Sequence, residues 1–561
     1  ARANGVMIMN NSWGSSTTIT SVTSTQINAA IPNTVSAVQS YVAAGGVVVF
    51  AAGNDGYTQP SYQAGLPYRI SGIENGWLAV IAVDPNGNET LYTNRCGVAA
   101  NWCLAAPGGG DNQSSEGIYS TYNDGTYRRL SGTSMAAPHV SGAIAGLKSM
   151  FPNLSYQQVR DRLLVTANKT GIYSNALIYG QGLMDLAAAS SPVGGLSLPI
   201  SNHANGSVAS SQSQIQLPGA FLRDINLQSH VMLLDNYQRA PFWVSTDFLI
   251  GKSTSKASLD QRMKILAAGD GSSTMTDLIT AHSAPSQYST IAASFSDKKL
   301  GFSVGSGDNK LDKLTSLNWT PTLHQTYSPS TSAAFSQRVG KGHLGVMVTG
   351  KSFNNEIGNI STSDGVDYGR RNAFSLIGQY PLTEKSSFGV SLSSAKDLEK
   401  PIGINATGAF AMNSASKKVF GINYDIKVSD NLKLKLLYEN GSTGGLHSQL
   451  LDIGKVKTNL INATISSRID DNNIFDIGFS RSKSISNGIN MKLPTSINES
   501  GDISYGNYMI GEGLISSVSS FNIKYSHFIS KSTILQGSLF VGNSMESNRN
   551  SQVIFGLKKS Y

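Results

Sequence analysis

Leu130-Ser131-Gly132-Thr133-Ser134-Met135-Ala136-Ala137-Pro138-His139-Val140 sets a serine just after a glycine, at the head of a small-residue, apolar run that reads as a helix over 136–150. If Ser134 opens that helix, its hydroxyl lies where free backbone N–H groups and the positive end of the helix dipole collect. Pro138 is then expected in or near the first turn, where a missing N–H costs little. Gly132 allows a sharp turn, and Ala136 and Ala137 leave room above the serine. This suits a nucleophile attacking a carbonyl, because the serine's own N–H can meet the oxyanion. A capped core helix with a small-residue face explains the same spacing, and spacing alone leaves both readings open.

Upstream, Val6-Met7-Ile8-Met9 reads as a buried strand, followed by a Ser/Thr-rich loop. A helix is expected over 34–44, closed by Gly45-Gly46. Residues 47–52 form a second apolar strand that delivers Asn54 at its carboxyl end, and 78–83 form a third. This rhythm argues for a parallel sheet covered on both faces, with the functional residues at the strand ends. Asn54 before Asp55-Gly56 also fits a plain turn. Downstream, Ser155 caps a helix from 156 to about 167 that carries Val159 and Leu163 on one face.

Gly132 to Val140 resembles the nucleophile motif of subtilisin-like serine proteases. Ala51-Ala52-Gly53-Asn54 resembles that family's oxyanion-donor segment, and Asn11-Ser12-Trp13-Gly14 the strand that pairs with substrate backbone. Three motifs in family order make chance agreement a poor explanation. The resemblance implies an α/β domain in which Ser134 is the nucleophile and Asn54 the side-chain oxyanion donor. It implies that Ser12, Trp13, Gly14, Ala51, Ala52 and Gly53 line the substrate cleft. Leu66-Pro67-Tyr68 resembles the loop flooring the primary specificity pocket, though a proline turn accounts for it equally. The segment from Tyr179 to Asp185 resembles the closing piece of exported subtilase domains, which ends the peptidase region near 190.

A serine nucleophile needs a base and a carboxylate to orient it. In the family both precede the Ser12-Trp13-Gly14 strand, yet no histidine precedes Ser134 here, and His139 matches a structural position. The expectation is a chain that is N-terminally truncated within the peptidase domain and inactive by itself, with its histidine and aspartate upstream. The opening residues also hold no methionine start and no signal-peptide core.

At 561 residues the chain should hold at least two domains. Its formal charge is +8, yet residues 1–200 carry nine basic and nine acidic side chains, so the excess lies downstream. It is dispersed there, which gives no nucleic-acid footprint. No run of eighteen apolar residues occurs, so no transmembrane helix is expected, although a β-barrel remains open. The two cysteines, Cys96 and Cys103, could be buried thiols. A close pair in an otherwise cysteine-free chain suits a disulfide loop better, and a metal site wants more ligands. The flanking pattern also resembles a cysteine loop of exported bacterial subtilases.

Residues 191–288 read as a linker with local order. Leu217-Pro218-Gly219-Ala220-Phe221 and Leu234-Asp235-Asn236-Tyr237-Gln238-Arg239 resemble the junction of subtilase autotransporters. From 289 to 561 the pattern has period two. Phe420, Ile422, Tyr424, Ile426 and Val428 precede a turn at Ser429-Asp430-Asn431 and then Leu432, Leu434 and Leu436. Short connections near 340–343, 429–431 and 470–473 alternate with long ones near 351–371, 440–458 and 481–519. That asymmetry and the aromatic last residue, Tyr561, predict an antiparallel outer-membrane β-barrel of about twelve strands. Lys559, at an outward position, departs from that pattern. A soluble antiparallel sandwich is the other all-β solution.

The combined expectation is a serine endopeptidase working through an acyl-enzyme, exported and displayed or released by its own barrel. An inert surface-displayed binding or pore protein with a protease remnant is the competing expectation. No cofactor or metal is implied, and the sequence does not show whether calcium binds. Expected partners are protein or peptide substrates, outer-membrane lipid and the barrel-assembly machinery, without nucleic acid. The expected location is the outer membrane and cell surface, or the medium, of a Gram-negative-type cell.

Overall fold

Strand β2, Val47–Ala51, is buried at all five positions. Alternate side chains of a strand go to opposite faces. Val47, Val49 and Ala51 therefore enter one core while Val48 and Phe50 enter another. The computed structural model describes residues 4–202, 207–209, 213–217, 227, 229–252, 288–295, 298–307, 317, 321, 326–350, 371–397, 405–412, 414–510, 515–530, 533–544 and 547–559. Pro218 to Phe221, the 351–370 stretch and Tyr561 lie outside them.

β1 (Ile8–Asn11), β2, β3 (Trp77–Val83) and β4 (Cys103–Pro107) form a sheet in that order. Every pairing is parallel: Ile8 lies opposite Val47, Val48 opposite Trp77, and Ala79 opposite Cys103. Helices α1 (Ser24–Ala30) and α2 (Pro32–Ala43) send Ile27, Val35, Tyr41 and Val42 into the core with Val48, Phe50, Ala79 and Ile81. On the other face, α4 (Thr133–Met150) and α5 (Tyr156–Thr166) bury Val140, Ile144, Leu147, Val159 and Leu163 against β2 and β3. The one-turn helix α3 (Gln113–Glu116) precedes a hairpin of β5 (Ile118–Thr121) and β6 (Tyr127–Leu130), and β6 runs into the start of α4.

The parallel sheet was legible, but several details differ from the sequence reading. β1 begins two residues later than expected. α1 occupies the stretch read as a loop, because the Thr23–Gln26 capping box closes its N-terminus while it buries only Ile27. β4 was not anticipated, since its short Cys-Leu-Ala-Ala-Pro sequence has little apolar bulk even though four of its residues are buried. Pro138 is the sixth residue of α4, beyond the first turn.

The chain separates into two compact units. The first comprises 1–207, 232–244 and 494–504. Within it, Leu196 and Ser197 pair antiparallel with Asp235 and Leu234, and Ala240 joins the α4–α5 core with Phe242 packed against it. Arg162, wholly buried on α5, ties these pieces together. Its guanidinium donates to Asp235 Oδ2 at 2.8 Å and to the carbonyls of Ala189 and Ser191, both at 2.6 Å. Trp243 Nε1 donates to the Thr495 carbonyl at 3.4 Å, and the Ile503 N–H to the Asn202 carbonyl at 2.8 Å.

The second unit comprises 208–231, 245–493 and 505–561. It carries a thirteen-stranded antiparallel sheet that runs from Tyr288–Phe295 to Ser547–Lys559. In the hairpin of Ala415–Lys427 and Leu432–Thr443, Ile422 faces Tyr438, Tyr424 faces Leu436 and Ile426 faces Leu434, as the period-two pattern requires. Burial across this sheet is inverted relative to a soluble domain. Leu344, Leu376, Leu392, Phe420 and Phe479 are exposed, whereas Ser332, Ser375, Gln379, Asn423 and Glu439 are buried. The buried hydroxyls pair with each other: Ser332 with Thr349 at 3.1 Å and Ser375 with Ser393 at 2.5 Å. Among the described residues no hydrogen-bonded register joins the first strand to the last.

The stretches 440–458 and 481–519, expected as long loops, are mostly strand. Leu446 pairs with Ile453, and Leu451 with Met491. No helix among the described residues is long and apolar enough to cross a membrane.

Candidate active site

The site lies at the carboxyl ends of β1 and β2, where they meet the start of α4. Pro138 has no N–H, so the Ser134 carbonyl four residues earlier lacks its helical partner. The Ser12 hydroxyl takes that place, donating to the Ser134 carbonyl at 2.9 Å. In return the Ser134 hydroxyl donates to the Ser12 carbonyl at 3.1 Å. The segment just after β1 and the head of α4 are thereby locked residue to residue.

Asn54 follows β2 across Gly53, whose φ of +113° favours glycine. Its Oδ1 accepts from the Thr133 N–H at 2.9 Å and from the Thr133 hydroxyl at 2.8 Å. A backbone N–H can only donate, so these two bonds fix which amide atom is the oxygen. Nδ2 then points away from Thr133 and makes no hydrogen bond to the described residues. A Cβ placed on Gly132 would stand 3.3 Å from Asn54 Nδ2 and 3.6 Å from the Ser134 backbone nitrogen. The lack of a side chain at Gly132 thus leaves a small space bordered by these two donors, with Asn54 Oδ1 at 3.7 Å.

The approach to Ser134 is held from β4. The Gly132 N–H donates to the Gly108 carbonyl at 2.9 Å. The Tyr92 hydroxyl donates to the carbonyls of Gly109 at 2.6 Å and Gly108 at 3.1 Å. Burial pushes the Tyr92 phenol up from its ordinary value, so it remains a donor.

The structure thus brings Ser12, Asn54 and Ser134 together, and Gly53 joins them through its N–H to the Thr133 hydroxyl at 3.4 Å. The ring of Trp13 is 60% exposed and stands edge-on to Phe50 at 5.2 Å between centroids, a surface open to a ligand. Gly14 lies against Ser61. The methyl groups of Ala51 and Ala52 are buried in the two cores, so only their backbones can face a cleft. Leu66-Pro67-Tyr68 forms a 3-10 turn and shares no hydrogen bond with Ser12, Asn54 or Ser134 among the described residues. Exposed His139 turns Nδ1 to the Met135 carbonyl at 2.8 Å, away from Ser134. Cys96 and Cys103 are bridged, with Cα atoms 5.7 Å apart. No group of three or more potential metal ligands occurs among the described residues.

Sequence reasoning missed Thr133 as the group that orients Asn54, and it missed Asn94. Thr133 could have been suspected from its place in the motif. Asn94 is forty positions from Asn54 and has no local signal.

A parallel sheet covered by helices, with a serine at a helix head beside an amide donor at the strand carboxyl ends, defines an α/β domain with its candidate site in the usual place. Residues 1–182 match the model of the subtilase family, and this part of the chain is a subtilase domain. Serotype-specific antigen 1 of Mannheimia haemolytica is 37% identical over 145 residues, 26% of this chain and 15% of that protein. Subtilisin DY of Bacillus licheniformis is 40% identical over 153 residues, 27% of this chain and 50% of the relative. An extracellular serine protease of Serratia marcescens is 31% identical over 202 aligned residues, 31% of this chain and 19% of the relative. The chain thus spans half or less of the length of these relatives.

Proposed function

We propose that the subtilase domain is a serine endopeptidase that cleaves protein or peptide substrates through an acyl-enzyme. Ser134 Oγ attacks the scissile carbonyl, and the oxyanion moves between the Ser134 N–H and Asn54 Nδ2. Ser12, Trp13 and Gly14 on one side, and Ala51, Ala52 and Gly53 on the other, line the substrate cleft through their backbones. The observation that carries this reading is that the space a Cβ on Gly132 would take is bordered by Asn54 Nδ2 at 3.3 Å and the Ser134 nitrogen at 3.6 Å. This chemistry also needs a base and an orienting carboxylate, and His139, turned to the Met135 carbonyl, is not that base. Residues 1–190 then act as the catalytic part, 191–288 as the junction and 289–561 as an outer-membrane barrel that exports the domain. The inverted burial of the second unit supports a lipid-facing sheet. The similarity to an extracellular serine protease of Serratia supports export and proteolysis. Folding by the barrel-assembly machinery and exposure at the cell surface or release to the medium belong to the same reading.

The test is labelling of the natural protein by a fluorophosphonate probe together with peptide turnover. Ser134→Ala should abolish both and leave thermal unfolding unchanged. Asn54→Ala should lower kcat by about a hundred- to thousandfold, the loss recorded for such a donor in a subtilisin, with little change in KM. Labelling that survives in Ser134→Ala overturns the assignment of the nucleophile, and an unaltered protein that neither labels nor turns over peptide favours an inert displayed protein.

A further inference from the structure

We propose that Asn94 is the positioning residue of the oxyanion site, holding the backbone on both sides of Asn54 so that Nδ2 meets the developing charge. The inference rests on the reading of Asn54 as oxyanion donor. The segment from Ala52 to Tyr57 has no regular secondary structure, yet it carries the group that must be placed most accurately. Asn94 supplies what the loop lacks. Its side chain is fully buried. Oδ1 accepts from the N–H groups of Asp55 and Tyr57, both at 3.0 Å, and Nδ2 donates to the Ala52 carbonyl at 3.2 Å. Its own N–H donates to the Gly53 carbonyl at 3.0 Å. One residue thus bonds the chain before and after Asn54.

Contact at Gly53 is equally close: a Cβ there would fall against the Asn94 amide nitrogen. Gly53 and Asn94 therefore fit as a pair, one supplying the positive φ and the other the template. Thr133 fixes the Asn54 side chain and Asn94 fixes its backbone. The two restraints come from different segments, so neither replaces the other.

Asn94 is itself anchored. The Arg95 N–H donates to the Tyr57 carbonyl at 2.8 Å, and Arg95 forms a bidentate pair with Glu89. Cys96, two residues on, is bridged to the first residue of β4. The template is attached to the central sheet, as precise positioning of a catalytic group requires.

The experiment is a double-mutant cycle in the natural protein, with turnover normalised to active sites titrated by the fluorophosphonate. Asn94→Ala should lower kcat by about ten- to a hundredfold, the scale expected of a misplacement near 1 Å, with KM within about twofold. Asn94→Leu, which keeps the volume, should show the same split and guards against collapse of the alanine variant. In the Asn54→Ala background, Asn94→Ala should cost less than about threefold, because the group it positions is gone. An unchanged kcat in both Asn94 variants, or an equal loss with and without Asn54, overturns the inference while the reading of Asn54 stands. If Asn54→Ala alone leaves kcat unchanged, the reading of the site fails instead.

Discussion

Gly132 is the residue at which the site can be tested most sparingly. Gly132→Ala would put a methyl group 3.3 Å from Asn54 Nδ2, in the position proposed for the oxyanion. Gly132 also holds φ +156°, where a side chain strains the backbone. The expected outcome is therefore a lowered melting temperature together with a kcat loss of about a hundredfold or more per titrated active site. Arg162 tests stability instead. It and Asp235 are both fully buried, so Arg162→Met should destabilise by about 3–5 kcal/mol by leaving the carboxylate uncompensated. Adding Asp235→Leu should recover much of that loss in urea unfolding. At this scale the sequence singled out Ser134, Asn54 and Ser12, because each lies in a short contiguous motif, and the structure places them side by side. It did not disclose Asn94 or Arg162, whose partners lie 37–42 and 27–73 positions away. Polar side chains that satisfy distant backbone groups leave no periodic trace.

Among the elements, the bridged loop ahead of β4 invites a direct measurement. Replacing Cys96 and Cys103 together by serine should lower stability by about 2–3 kcal/mol, the value expected for closing a loop this short. Unfolding midpoints of oxidised and reduced protein should differ in the same direction, and equal midpoints would reject a stabilising role. Elements were legible where apolar spacing was strong, as in β2, β3, α4 and α5. α1 and β4 were not, because capping and small buried residues define them rather than bulk. Pro138 shows the limit of local rules. Its position in α4 is tolerated through the Ser12 hydroxyl, which comes from another part of the chain.

For the whole molecule, the exposed apolar face of the thirteen-stranded sheet leads to the broadest prediction. The natural protein should fractionate with outer membranes, and its barrel should migrate differently on gels before and after heating. Leu376→Arg, on the exposed face, should destabilise the barrel by about 2–4 kcal/mol if it sits near the bilayer midplane, and should reduce the unheated folded band. A soluble product without heat-modified mobility would falsify the barrel. Period two made this sheet readable, whereas the strands near 446–453 and 489–510 fell in stretches whose length suggested loops. The first compact unit is drawn from three separate lengths of chain, 1–207, 232–244 and 494–504. That arrangement sets a timetable. During synthesis the Arg162 guanidinium waits for Asp235, and the Trp243 indole waits for Thr495, which is made some 250 residues later. Non-local closure of this kind slows folding. The first unit therefore completes itself only after most of the following sheet has been translated, and a chain stopped before residue 494 would leave it without its last segment.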